Sequence, residues 1–334
     1  MNFLVVGGAG YIGSVVAEEL VRGRHSVLVL DDLSTGHKDA VPALAYLVKG
    51  HTSDPKALRE AFTTKEIDCV VHLAARTIVS DSLADPAGYE EANVRQGTIL
   101  LDAMREHGVS RIVFSSTAAV YGIPEGGRAR EDSPTAPINP YGASKLMSEW
   151  MLRDLSAASP LRHVILRYFN VAGCDPEMRI GQSTAAATLL FKVAAEVAVG
   201  KRRQLSIFGT DYPTPDGTGV RDYIHVDDLA DAHVRALAYL RKGGMSTTLN
   251  CGYGHGYSVR DVIRAVEHAN GAPIAVVEEP RRAGDPPTLI AVADRVRDVL
   301  GWTPRHDDLD TIARTSLNWE RKLAATSGGP RPTL

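Results

Sequence analysis

Short apolar runs alternate with longer helical stretches over the first half of the chain. Asn2 to Val6, Ser26 to Leu30, Ala45 to Val48, Cys69 to His72, Arg111 to Phe114 and Val164 to Arg167 read as strands. Between them, Ser14 to Val21, Pro55 to Phe62, Pro86 to Glu106 and Leu146 to Leu155 carry the periodicity of helices. Strand followed by helix, repeated, predicts an α/β fold with a doubly wound parallel sheet.

The rhythm breaks near Asn170. Beyond it lie one helical stretch, Ala185 to Val199, and the glycine- and proline-rich run from Gly209 to Gly219. The pattern predicts a dinucleotide-type domain over residues 1–170, with a returning segment at about 221–250. A smaller α/β domain takes 171–220 and 251–322. The polar tail, 323–334, is expected to be disordered.

At 334 residues the chain is long enough for two domains, and its net charge of −3 with dispersed basic residues argues against a nucleic-acid partner. No run approaches the ~20 apolar residues of a membrane span, and no charged leader precedes the first strand. Cys69, Cys174 and Cys251 are odd in number and far apart, so neither a disulfide framework nor a zinc motif is expected. Reduced thiols and a cytoplasmic location follow. His225 and His233 lie near Asp227 and Asp228, but no two-histidine spacing suggests a metal, and none is expected.

Two stretches carry chemistry. Gly7, Gly10 and Gly13 follow a strand and open a helix, the context that turns a glycine motif into a pyrophosphate site. Asp31 ends the next strand, where a carboxylate binds ribose hydroxyls and repels a 2′-phosphate, favouring NAD over NADP. Asp32 reinforces this preference, and the loop through Ser34, Thr35, Gly36 and His37 is expected over the adenosine. The second stretch is Asn139 to Lys145. On a helix, Tyr141 and Lys145 share one face about a turn apart. A fixed ammonium nearby is expected to lower the phenol's pKa and make it an acid/base. Thr117, at the end of its strand, maps to the same sheet edge.

These residues resemble the extended short-chain dehydrogenase/reductase family, over Asn2 to about Trp319, and within it the UDP-sugar 4-epimerase subgroup. The resemblance rests on Gly7-x-x-Gly10-x-x-Gly13, Phe114 to Gly122, Asn139 to Lys145, Leu166 to Asn170, Arg282 to Asp285, and above all Phe208 to Val226. It implies an NAD-dependent isomerase that inverts carbon 4 of a UDP-hexose, interconverting UDP-glucose and UDP-galactose. Tyr141 would be the acid/base, with Lys145 and Thr117 beside it. NAD would be held by Gly7, Gly10, Tyr11, Ile12, Gly13, Asp31, Asp32, Ser34, Thr35, Gly36, Leu73, Ala74, Ala75, Asn93, Ser115, Tyr141, Lys145, Tyr168 and Phe169. The UDP-sugar would meet Thr117, Tyr141, Asn170, Leu190, Ser206, Phe208, Arg221, Tyr223, Arg282 and Asp285. Arginine suits a diphosphate through its permanent charge and planar fork. A homodimer through the helices at Pro86–Glu106 and Tyr141–Leu155 is also implied, with Met147 and Trp150 as core or subunit-contact residues.

The chain departs from the family pattern at His51, where an aspartate is usual, at Arg76 and Thr77 in place of leucine and lysine, and at Leu189. Leu289 stands at a position lining the sugar pocket in relatives. Alternatives are a 4-epimerase acting on UDP-N-acetylglucosamine, UDP-glucuronate or a UDP-pentose, a sugar-nucleotide 4,6-dehydratase, and a non-catalytic NAD-binding protein. A dehydratase needs an acid/base pair where this chain has Ala118 and Ala119, and alanine moves no proton.

Overall fold

The computed structural model describes residues 1–326. Its main sheet has seven strands: β1 (Asn2–Val6), β2 (Ser26–Asp31), β3 (Tyr46–Lys49), β4 (Cys69–His72), β5 (Arg111–Thr117), β6 (Arg162–Tyr168) and β7 (Thr247–Cys251). All neighbours are parallel, in the order β3-β2-β1-β4-β5-β6-β7. The order reverses between β1 and β4, and that crevice, at the carboxyl ends of the strands, is where such sheets bind ligands. Val6 pairs with Leu30 on one side and His72 on the other, so the glycine turn, Asp31 and Leu73 leave the sheet side by side.

Both faces of the sheet are covered, which is why the strands read as unbroken apolar runs. Val5, Val29, Val71, Val113 and Val164 point into one core, and Leu4, Leu28, Val70, Ile112 and Ile165 into the other. The first face is covered by α1 (Tyr11–Arg22), through Val16 and Leu20, and by the helix Val226–Arg241, through Leu229 and Leu237. The second is covered by Leu58, Leu100, Met104 and by Leu152 of α2 (Pro140–Ala158). We call Val226–Arg241 α3.

Smaller sheets carry the remaining strands. Arg128–Ala129, Thr288–Ala291, Val220–Arg221 and Tyr257–Ser258 form one, and Asn170–Ala172 pairs with Tyr223–His225. Leu205–Phe208 pairs with Val276–Glu279. The helices Leu190–Ala198, Val259–Asn270 and Leu309–Thr326 pack on one another.

Three expectations change. The helix expected over Ala185 to Val199 spans only Leu190–Ala198, since Ala186 takes a positive φ of 53° that no helix accommodates. The stretch Pro86 to Glu106 is helical throughout, but Glu91–Arg95 forms a π-turn between two α-helical segments. Of the tail expected to be disordered, residues 323–326 continue the last helix, and 327–334 lie outside the described residues.

Candidate active site

Burial and chain direction put α1 directly behind the glycine turn. A Cβ on Gly13 would lie 2.0 Å from the Gly7 carbonyl oxygen, and Gly7 itself has φ +84°, so neither position tolerates a side chain. At Gly10 the nearest neighbour of such a Cβ is 3.4 Å away, so glycine there keeps a surface clear for close approach from outside. No side chain caps α1, which leaves its first-turn N–H groups facing that surface. This cradle fits a pyrophosphate.

Asp31, buried at the end of β2, accepts from Ala9 N at 2.9 Å and Leu33 N at 2.8 Å. It thus braces the glycine turn from the side. Asp32 accepts from Ser34 N and Ser34 Oγ, and His37 N donates to Ala9 O, which folds the loop over residues 32–37 onto the same turn. Tyr11 OH reaches Gly173 O at 2.6 Å, so its polar atom is spent on the loop after Asn170–Ala172. Ile12 is half-buried against the core. Leu73, Ala74 and Ala75 are half-buried at the end of β4, and Ala74 lies against Gly7. His51 turns to Ser53, 2.7 Å away, and Thr77 is exposed.

The catalytic candidates meet at the end of β5. Asn139 caps α2 by accepting from Gly142 N at 2.8 Å, and Pro140 follows it in the first turn. That cap fixes where the helix starts and therefore which way Tyr141 points. The half-buried Tyr141 phenol lies within electrostatic reach of the Thr117 side chain. Lys145, one turn on and 2% exposed, donates to Ser115 O at 2.8 Å. Tyr168, within electrostatic reach of the Ser115 side chain, bonds His233 through its hydroxyl inside the core. Phe169 is buried beside it.

The expected electrostatics of the pair are corrected here. Burial, reinforced by Tyr89, pushes the Tyr141 phenol up to about 12 despite the opposing pull of Thr117. Burial also pushes the Lys145 ammonium down to about 7, against the opposing pull of Glu149. The lysine is anchored to a carbonyl and does not by itself lower the phenol. Sequence spacing reports proximity and is blind to desolvation.

Asn93 sits in the π-turn and has every polar atom in use. Its Oδ1 accepts from Arg76 N at 2.8 Å, and its Nδ2 donates to Arg76 O at 3.0 Å and Ser144 Oγ at 2.9 Å. It ties the loop after β4 to the helix of Tyr141. Arg76 pairs with Asp85 and lies 4.5 Å over the ring of Tyr89, whose edge in turn meets Tyr141 at 6.5 Å. Tyr89 and Asn139 were not foreseen as site residues. The Asn-Pro pair ahead of a helix was a legible cap, whereas nothing local marks Tyr89.

The residues expected around UDP form a second group. Arg282 bonds Asp285 at 2.9 Å and lies 5.0 Å over the ring of Phe208. Arg221 feels Asp285, Tyr223 and Arg282, and donates to the Val220 carbonyl. Tyr223 is buried edge-on to Phe191. Ser206 and Asn170 are half-buried on their strands, and Leu190 is half-buried in the first turn of its helix, which Leu189 leaves without a side-chain cap. Leu289 is buried beside Arg221 in the sheet register.

A family model described as the NAD dependent epimerase/dehydratase family matches residues 3–252. The chain belongs to this family. It is 53% identical to a UDP-glucose 4-epimerase of Azospirillum brasilense over 97% of this chain and 93% of that one. The solved UDP-glucose 4-epimerase of Bifidobacterium longum in complex with NAD+ and UDP superposes with a TM-score of 0.92 at 38% identity, covering 96% of this chain and 98% of that chain. The UDP-Glc/GlcNAc 4-epimerase of Campylobacter jejuni superposes with a TM-score of 0.83 at 45% identity, covering 96% and 99%. The doubly wound sheet expected from the strand pattern is the family's fold.

Proposed function

We propose that this epimerase-family enzyme interconverts UDP-glucose and UDP-galactose by NAD-dependent epimerisation at sugar carbon 4. The observation that carries the reading is the Tyr141 phenol set beside the Thr117 side chain and Lys145, at the sheet edge shared with the uncapped end of α1.

Gly7, Gly10, Gly13 and the first turn of α1 would hold the pyrophosphate of NAD, with Asp31 toward its adenosine. The chemistry NAD supplies when bound is reversible hydride transfer at carbon 4, through a transient 4-keto sugar, with the positive charge of its oxidised ring. Tyr141 takes the proton of the 4-hydroxyl and returns it to the alcohol of opposite configuration. Thr117 holds the same oxygen and keeps the phenol aligned. Lys145, locked to Ser115 through one N–H, would offer another to the nicotinamide ribose. Arg221, Arg282 and Phe208 hold the UDP part, so the sugar alone is free to turn over between the two hydride steps.

A second reading, a wider sugar range that includes UDP-N-acetylglucosamine, is favoured by the likeness to the Campylobacter jejuni enzyme. We also assign a homodimer. Met147 and Trp150 of α2 are 37% and 51% exposed, which removes the core alternative, and Met147 lines a groove with Val94 and Ile99. A cytoplasmic location fits three free, buried cysteines, and among the described residues no helix is long and apolar enough to cross a membrane.

The test is incubation of the purified enzyme with UDP-glucose, UDP-N-acetylglucosamine, UDP-glucuronate and UDP-xylose separately, with epimers resolved by chromatography. Conversion of UDP-glucose, lost in Tyr141→Phe, supports the proposal. Conversion of only another sugar, or an unimpaired variant, overturns it.

A further inference from the structure

Away from this site the fold gathers three side chains that the sequence keeps apart. His225 and Asp227 lie at the start of α3, and His306 arrives on the segment after Trp302. One ligand atom from each lies within 4.8 Å of the other two. The two imidazoles are 4.5 Å apart at their centroids, and His306 Nε2 is 4.0 Å from Asp227 Oδ2. None of the three belongs to the residues assigned to NAD or UDP. His233, the other histidine of this region, is bonded to Tyr168 and Leu229 O and takes no part.

Hydrogen bonding fixes the tautomer of His225. The backbone N–H of Asp227 donates to Nδ1 at 3.2 Å, so Nδ1 carries the lone pair. Nε2 then carries the proton and donates to Thr315 Oγ1 at 3.2 Å. A lone pair on one nitrogen, engaged only by that long backbone contact, with the other N–H held by an acceptor, is close to the arrangement of a metal-binding imidazole.

A second observation is independent of the histidines. Asp227 Oδ1 is shut off from solvent and has no hydrogen-bond partner, a costly state for a carboxylate. Asp175, Glu19 and Asp228 add negative charge around it, with Arg305 opposing. The segment bearing His306 is already pinned to α3, since Arg305 N and His306 N both donate to the Asp228 carboxylate at 2.9 Å and Trp302 Nε1 donates to Asp228 O.

We propose that His225 Nδ1, His306 Nε2 and Asp227 bind a divalent transition-metal ion of the zinc class. Two imidazoles and one carboxylate suit zinc in a tetrahedral site, with water in the fourth position. Bonds of about 2.0–2.2 Å set tetrahedral ligands roughly 3.4 Å apart, so the 4.0 Å separation of His306 from Asp227, and separations of at most 4.8 Å across the cluster, must contract by about 1.4 Å at most. His306, 22% exposed on a surface segment, supplies that movement. The only bond lost is the long one from Asp227 N to His225. The ion braces the start of α3 against the 302–308 segment and takes no part in the reaction.

The test uses tag-free holoenzyme stripped with a chelator, then titrated with Zn2+ in competition with a chromophoric chelator. His306→Ala and Asp227→Asn are compared, because both residues reach the surface and neither change cuts into the core. The expected result is one ion per chain in the wild type, bound at least about tenfold more weakly by each variant, with Zn2+ raising the thermal midpoint of the wild type alone. Absence of stoichiometric binding to the wild type, or wild-type affinity in both variants, overturns the proposal.

Discussion

The ammonium of Lys145 donates to the carbonyl oxygen of Ser115 at 2.8 Å, joining the helix of Tyr141 to the end of β5. That bond holds two elements in register, and the neighbouring phenol lies beside the Thr117 side chain. Without cofactor, burial keeps that phenol protonated.

It follows that Tyr141 becomes a competent base only when a positive charge is placed beside it. Ultraviolet difference titration of wild type against Tyr141→Phe should place the phenol above its ordinary value of ~10 in apoenzyme. Adding oxidised NAD should bring it down by at least about one unit, the effect of an opposite charge at close range. An apoenzyme phenol that titrates below 10 contradicts the account.

Lys145 makes a separate prediction about stability. Its folded pKa, about 7, is below the ~10.5 of the unfolded chain, so between these values the unfolded state holds more protons. Stability therefore rises with pH across that window, and the burial cost is fully present below about 7. Lys145→Met removes the titration. Chemical denaturation at pH 7 and pH 9.5 should show wild type gaining on the variant by roughly 1 kcal/mol or more as pH rises. A difference independent of pH would show that the buried lysine is not destabilised as described.

Much of this arrangement is legible in the sequence. The glycine turn, Asp31 and the strand pattern read directly, because each depends on local chain geometry and on strands buried on both faces. The π-turn at Glu91–Arg95 does not read, since the helical periodicity of Pro86 to Glu106 runs through it unbroken. Nor do the shifts of Tyr141 and Lys145, which depend on what surrounds them in space. His306 joins His225 only through folding of segments far apart in the chain.

Asn93 offers the sharpest test of the π-turn. Asn93→Ala deletes three hydrogen bonds, one buried and two part-buried, and orphans the Arg76 backbone groups. Denaturant unfolding should show a loss of about 2–4 kcal/mol, and kcat should fall because α2 loses its tie to the loop after β4. A variant within ~0.5 kcal/mol of wild type would remove the bracing role.

The exposed face of α2 predicts the oligomer. Met147→Glu combined with Trp150→Glu places two charges on an apolar face and should shift the enzyme from dimer to monomer in sedimentation velocity. An unchanged dimer places the interface elsewhere.

Reversible hydride transfer at carbon 4 with the proton handled by Tyr141 is tested most directly with UDP-galactose deuterated at that carbon. The account predicts UDP-glucose that keeps its deuterium at carbon 4, made in ordinary water with no net NADH. Product that has exchanged its label with solvent, or no epimer at all, would contradict it.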